Sequence, residues 1–100
     1  MARDGTIVDG DLDAQIGQVV DNSMRALERA GAGPGDVVRS VVYVVTADST
    51  TLAGVWRRLG ASALAPAFTA ASTLLGVAAL GDAGQLVEVD LTAALPAPHR

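Results

Sequence analysis

The chain has 100 residues, half of them hydrophobic, and a formal net charge of −4. This length fits one domain with a modest core, which small aliphatic side chains must fill because only 3% of the residues are aromatic. All seven basic residues are arginine and cysteine is absent, which excludes disulfides and thiolate chemistry. The net negative charge argues against a nucleic-acid partner, since proteins gain most of their non-specific affinity for nucleic acids by neutralising phosphates with basic side chains.

No segment has the pattern of a targeting or membrane-spanning sequence. Arg, Asp and Gly interrupt every apolar run before it reaches transmembrane length, and residues 1–4 do not open a secretory signal. We therefore expect a cytoplasmic protein with no membrane partner. The single histidine, His99, lies among prolines in residues 95–100, which we expect to be a flexible tail and not a site.

The first half of the chain predicts a short strand, a helix and a longer strand. Residues 5–8 are a brief apolar run between turn residues, as in a small edge strand. Asp11 is a potential N-cap, and apolar residues then recur at helical spacing over residues 12–30, up to the stop at Gly31. Residues 37–46 are rich in β-branched side chains on both faces, which predicts a strand buried on both sides.

The second half predicts a helix followed by two strands. Asp48 or Ser49 can cap a helix whose apolar stripe is Leu52, Val55, Trp56 and Leu59. Residues 68–80 predict a long strand in which Gly76 marks a bulge or a close approach. Residues 81–84 predict a hairpin loop leading into a strand over residues 85–94, where apolar and polar side chains alternate.

These elements predict a single α+β domain over residues 1–94, with an antiparallel or mixed sheet and both helices on one face. The other face of the sheet must also be covered. Apolar residues at positions predicted for that face, such as Val41, Val45 and Leu75, indicate that a partner subunit covers it.

Three segments in chain order resemble the RidA/YjgF family of reactive intermediate deaminases. They are residues 5–8 with 11–15 and the helix that follows, residues 30–44, and residues 70–80 with 86–90. The resemblance implies a chorismate-mutase-like fold and a homotrimer that holds a small-molecule ligand in clefts between its subunits. Archetypal members hydrolyse reactive enamines and imines, such as 2-aminoacrylate, to keto acids and ammonia. They use no metal and no organic cofactor, and we expect none here.

The chain departs from the family pattern in three places. The chain has no counterpart of the family's first β-hairpin, which carries a Tyr and a Ser-Gly-Gln segment. Two explanations are open: a true short form of the family, or a start site assigned at an internal Met. The arginine that holds the substrate carboxylate is replaced by Ser72, counting back from Leu80, or by Phe68, counting from Pro66. We prefer Ser72, because it keeps the phase of the strand. Ala53 stands where archetypal members often have Asn.

Glu88 matches the glutamate that positions the hydrolytic water in active members, and it is the predicted catalytic residue. The alternative is a solvated strand residue or a salt-bridge partner between subunits. Ser72, Thr73 and Phe68 are the predicted substrate-binding residues. Neither Ser72 nor Phe68 can form the charged, two-point contact that arginine makes with a carboxylate. Hydroxyl groups instead suit a neutral or hydroxyl-bearing ligand.

We therefore expect a protein that binds or hydrolyses a small imine- or enamine-type metabolite between subunits and is not the archetypal 2-aminoacrylate deaminase. The alternative is a non-catalytic trimer that binds a small molecule or acts as a regulator. A serine nucleophile triad has no support, because no histidine or lysine base stands in the part of the chain predicted to be ordered.

Overall fold

The computed structural model describes residues 11–95. Its helices and strands are α1 (Leu12–Arg29), β1 (Val37–Val45), α2 (Ser49–Gly60), β2 (Ala71–Val77) and β3 (Val87–Ala93). Short 3-10 helices cover Pro34–Asp36 and Ala65–Thr69. The strand predicted at residues 5–8 and residues 96–100 of the predicted tail lie outside the described residues. No helix of the described part is long and apolar enough to cross a bilayer.

Both ends of α1 are set by local hydrogen bonds. The Asp11 carboxylate accepts from the backbone N–H groups of Asp13 and Ala14, at 3.0 and 3.3 Å. At the other end Gly31 adopts a φ of 78°, and the Ala32 N–H donates to the Leu27 carbonyl at 2.9 Å. This left-handed glycine cap ends the helix within one residue of the predicted position.

Asp48 caps α2. Its carboxylate accepts from the Thr50 backbone N–H at 2.9 Å and from the Thr51 hydroxyl at 3.1 Å. These bonds stabilise the ionised form and hold the pKa of Asp48 below its ordinary value. At a pH above the unfolded-state pKa of Asp48, the cap therefore makes its full contribution to the free energy of unfolding. That contribution is lost as the pH falls through the lowered pKa of the folded state.

The sheet has three strands in the order β2-β1-β3. Strand β1 pairs parallel with β2 and antiparallel with β3. The prediction that the last two strands form a hairpin was wrong, since they lie on opposite sides of β1. The Gly-rich turn at residues 81–84 signals a change of direction, but a turn does not specify which strand the chain then joins. The most β-branched strand, β1, takes the central place.

The strand predicted from residue 68 begins only at Ala71. Residues before it form the 3-10 helix Ala65–Thr69, which has proline in its first turn. Proline fixes φ near its helical value and lacks the N–H that a strand ladder needs, so Phe68 lies on a helical turn and not on the strand.

Both helices pack on one face of the sheet, as predicted. Ile16 of α1 and Val55 and Leu59 of α2 share one buried cluster with Val42 and Val44 of β1 and Val87 of β3. The opposite face carries no helix in the described part of the chain, and we call it the open face. By strand alternation it consists of Arg39, Val41, Tyr43 and Val45 of β1, Ala71, Thr73, Leu75 and Val77 of β2, and Glu88, Asp90 and Thr92 of β3.

A bulge interrupts β1 near its start. The register with β3 shifts between Val37 and Arg39, and Val37 is buried while Val38 is 50% exposed. Simple alternation would put Val38 on the same face as Ser40 and Val42, but the extra residue of the bulge moves Val37 into the core instead. Beyond the bulge the alternation holds.

Gly76 is a close-approach point, and an alanine there should destabilise the fold. A Cβ at Gly76 would lie 2.6 Å from the Thr46 carbonyl oxygen, and a backbone atom cannot easily move away. We expect Gly76→Ala to lower the free energy of unfolding by about 1–3 kcal/mol, as overpacking does, in urea unfolding. In the control Gly17→Ala a Cβ meets nothing within 4 Å, and the better helix former should stabilise by about 0.5–1 kcal/mol. Equal effects at both positions would contradict the close contact.

Candidate functional site

Glu88 lies on the open face at the end of a row of three side chains. It is opposite Tyr43 in the antiparallel ladder, and Tyr43 is opposite Leu75 in the parallel one. Glu88 is exposed, Tyr43 is half-buried and Leu75 is 42% exposed. Since neighbouring strands are about 4.8 Å apart, the row brings a carboxylate, a phenol and an apolar side chain within about 10 Å.

Thr73 belongs to the neighbouring row of the open face. There Asp90 is opposite Val41, and Val41 is opposite Thr73. Val41 is only 4% exposed, whereas Asp90 and Thr73 are exposed. Thr73 therefore shares a surface with Glu88 but lies two strands away, at about 10 Å or more by strand spacing.

Ser72 lies on the opposite side of the sheet from Glu88. It is in register with Ser40, whose hydroxyl donates to the Ser72 hydroxyl at 2.7 Å. The Ser72 hydroxyl in turn donates to the Ala70 carbonyl at 3.0 Å. Ser40 is fully buried, so Ser72 satisfies a core hydroxyl. Within one subunit Ser72 does not meet Glu88, and its part in ligand binding stays a prediction.

Phe68 packs on the helix side. Its ring meets Trp56 of α2 edge to face, with centroids 5.4 Å apart and an interplanar angle of 64°. It is half-buried and contacts both buried clusters of the core. Phe68 also lines an open cavity of about 470 Å³ with Trp56 and Pro66. The four predicted site residues thus divide in pairs, with Glu88 and Thr73 on the open face and Ser72 and Phe68 on the other side.

The structure adds two side chains that sequence reasoning had not singled out for a site. Tyr43 is the direct neighbour of Glu88 across the ladder, and Arg39 lies on the same face, opposite Thr92. Alternation along β1 puts Arg39 and Tyr43 on one face of the strand, but the pairing of Tyr43 with Glu88 depends on the register between β1 and β3. In residues 11–95 no three acidic or histidine side chains group as a metal site.

The Ser40–Ser72 pair makes an asymmetric prediction. Ser72→Ala leaves the buried Ser40 hydroxyl without its partner and should lower the free energy of unfolding by about 1–3 kcal/mol. Ser40→Ala removes the buried group itself and should cost less than Ser72→Ala, since the exposed Ser72 can turn to water. Urea unfolding of both single variants and the double variant measures this. A double variant less stable than Ser72→Ala would contradict the account.

The profile of the endoribonuclease L-PSP family matches residues 1–95. The chain belongs to this family. The match spans nearly the whole sequence and includes all three segments on which the RidA/YjgF resemblance was based.

Solved structures of the Rid family are similar to this chain. One is YyfB of Yersinia pestis, a protein of unknown function from the conserved Rid family. It is 40% identical with a TM-score of 0.80, and the alignment covers 93% of this chain and 70% of that one. Another is Rv2704 of Mycobacterium tuberculosis, of the YjgF/YER057c/UK114 family, at 33% identity, a TM-score of 0.64, and coverage of 85% and 69%.

A third similar structure is that of a protein from Entamoeba histolytica described as an endoribonuclease L-PSP. It is 30% identical, with a TM-score of 0.75 and coverage of 93% and 70%. No curated protein matches the chain. These similarities confirm the predicted YjgF-like α+β fold.

Proposed function

We propose that this chain binds and hydrolyses a small imine- or enamine-type compound without a carboxylate, in a cleft between the subunits of a homotrimer. The observation that carries the proposal is the row of Glu88, Tyr43 and Leu75 on the open face. This face combines a carboxylate with apolar side chains, of which Leu75 is 42% exposed. Tyr43, Val45 and Val77 beside Leu75 are half-buried, and an apolar patch on a face that no helix of the described part covers commonly marks an interaction site.

Glu88 would act as the base in this reaction. Its carboxylate accepts a proton from the water that attacks the C=N carbon, and the proton then passes to the nitrogen. The C–N bond breaks, so that imine and water become a carbonyl compound and ammonia. The Tyr43 hydroxyl, next to Glu88 across the ladder, can donate a hydrogen bond to the substrate. Cover by a second subunit would limit access of bulk water to this row.

The charges of the open face favour a substrate without a carboxylate. The guanidinium group on the open face is that of Arg39. Arg39 lies four residues along β1 from Tyr43, a distance of about 13 Å at the rise per residue of a strand. Asp90 lies between, in the row next to Glu88, and would repel an anion. At the position where the family arginine is expected, Ser72 offers only a hydroxyl that already bonds Ser40 and Ala70.

RNA cleavage, which the family description names, has little physical support in this chain. The net charge is −4 with no lysine, and Glu88 and Asp90 lie on the open face. Phosphate groups would meet carboxylates where neutralising cations are needed.

A non-catalytic small-molecule-binding trimer is the second candidate. It is favoured by the freedom of the Glu88 side chain, which is exposed and forms no hydrogen bond or ion pair with the described residues. Side chains that act on substrates are normally held in place by neighbouring groups. In a trimer that holding group would have to come from the adjoining subunit.

The test is a coupled assay for ammonia release by the purified full chain, with its mass measured by light scattering. We expect a trimer, turnover of an imine without a carboxylate, and no acceleration above background with 2-aminoacrylate. Rapid turnover of 2-aminoacrylate would overturn the substrate class, and a monomer at micromolar concentration would overturn the cleft. A ligand that raises the melting temperature and is recovered unchanged would favour the binding-only candidate.

A further inference from the structure

The two helices leave a groove between them that opens to solvent on the side of the molecule away from the open face. Its cavity of about 410 Å³ has an apolar floor that includes Leu12 and Ile16 of α1 and Val55 of α2. Ile16 and Val55 are 3% and 1% exposed, so the floor is part of the core and is rigidly held. The volume lies within the range of about 300–1,000 Å³ typical of small-molecule pockets.

Gly54 keeps this groove open. It lies on α2 among the lining residues, and a Cβ built on it would meet only the Arg57 guanidinium, at 3.9 Å. A glycine in the interior of a helix weakens that helix relative to alanine. Gly76 is required by the close approach of another backbone, and Gly31 by its positive φ. Neither reason applies to the glycine at position 54.

The rim of the groove carries two arginines in a chain of net charge −4. Arg58 reaches across to α1 and pairs with Asp13 at 3.2 Å, and both side chains are more than half exposed. Exposed pairs of this kind are weak and readily exchanged. The Arg57 side chain forms no ion pair and no hydrogen bond with the described residues, so its guanidinium, next to Gly54, remains available to an anion.

We propose that this groove binds a medium-chain carboxylate. The carboxylate lies on the Arg57 guanidinium, which matches its planar, two-point geometry. The alkyl chain lies over Gly54 and along the floor made by Ile16 and Val55. Since the groove is on the helix side of the sheet, this binding is independent of the cleft proposed at Glu88.

Titration calorimetry of the full chain with octanoate, octanol and acetate tests the two halves of the proposal separately. We expect saturable binding of one octanoate per chain. Octanol should bind at least about tenfold more weakly than octanoate. This factor is the lower end of the affinity lost with a hydrogen bond to a charged group. Acetate should show no saturation. Octanol that binds as tightly as octanoate would overturn the role of Arg57, and acetate that binds as tightly would overturn the role of the floor.

Two variants locate the site. Gly54→Leu fills the groove and should abolish octanoate binding, while its melting temperature stays at or above that of the unaltered chain, because leucine is the better helix former. Arg57→Gln should weaken octanoate about tenfold and leave octanol unchanged. Arg29→Gln, an exposed arginine at the end of α1, is the matched control and should change nothing.

Unchanged octanoate affinity in Gly54→Leu or in Arg57→Gln would overturn the proposal. Binding should persist in Glu88→Gln, so this inference and the proposed function fail separately.

Discussion

Replacing Gln15 by leucine is expected to lower the free energy of unfolding by about 1–3 kcal/mol, because it leaves the half-buried Leu86 N–H without its partner, whereas the exposed Gly84 carbonyl can bond water. The Gln15 side chain is 2% exposed. Its Nε2 donates to the Gly84 carbonyl at 2.9 Å, and its Oε1 accepts from the Leu86 N–H at 2.8 Å. One amide thus satisfies both a carbonyl and an N–H of the loop before β3.

This contact ties α1 to the start of β3 across about seventy residues of sequence. The Leu86 carbonyl then accepts from the Val45 N–H at 2.9 Å, and the ladder continues with Val87 opposite Val44. Glu88 follows directly on the open face. Loss of the Gln15 amide should therefore loosen the strand end that carries Glu88 before it affects the rest of the sheet.

Gln18→Leu is the matched control for this prediction. It makes the same change on the same helix, but within residues 11–95 the Gln18 side chain donates only to Asn22, at 3.0 Å and within one helical turn. We expect Gln18→Leu to lower the free energy of unfolding by less than about 1 kcal/mol, as is usual for substitutions away from a buried network. Urea unfolding gives the free energies, and hydrogen exchange should show faster exchange of the Leu86 amide in Gln15→Leu alone. Equal losses in the two variants would show that the contact contributes nothing.

Local features of this fold could be predicted from local signals. The helical spacing of α1, its Asp11 cap and its stop at Gly31 appear in the structure within one residue of the predicted bounds. The β-branched run of residues 37–46 became β1. Each depends on residues near one another in the chain, where side-chain period and backbone freedom determine the conformation.

Features that depend on distant partners could not be predicted in the same way. Gln15 is a polar residue outside the apolar stripe of α1, yet it is buried, because its partners lie about seventy residues away. Alternation puts neighbours such as Ser72 and Thr73 on opposite faces of a strand, but it does not show which face the helices cover. The pairing of Glu88 with Tyr43 depends on the register between the antiparallel strands β1 and β3. A slip of one residue in that register would move Glu88 to the other face of the sheet.

Replacing Glu88 by glutamine is expected to lower kcat for an imine substrate by about 10²–10⁴-fold, the usual contribution of a general base. Glutamine keeps the shape of the side chain and can still form hydrogen bonds, but it cannot take a proton from water. Because Glu88 is exposed on its strand, the stability should change by less than about 0.5 kcal/mol. The measurement is the rate of ammonia release at saturating substrate, with unfolding followed in parallel.

Asp90→Asn is the matched control, because Asp90 lies on the same strand and face, two residues on, and is also exposed. It stands opposite Val41 and not Tyr43, so its loss should leave kcat within about threefold if base catalysis belongs to Glu88. Equal rates for Glu88→Gln and the unaltered chain would remove Glu88 from the chemistry. If Glu88→Gln instead loses turnover but keeps the ligand-induced rise in melting temperature, then Glu88 serves the reaction and other groups hold the ligand.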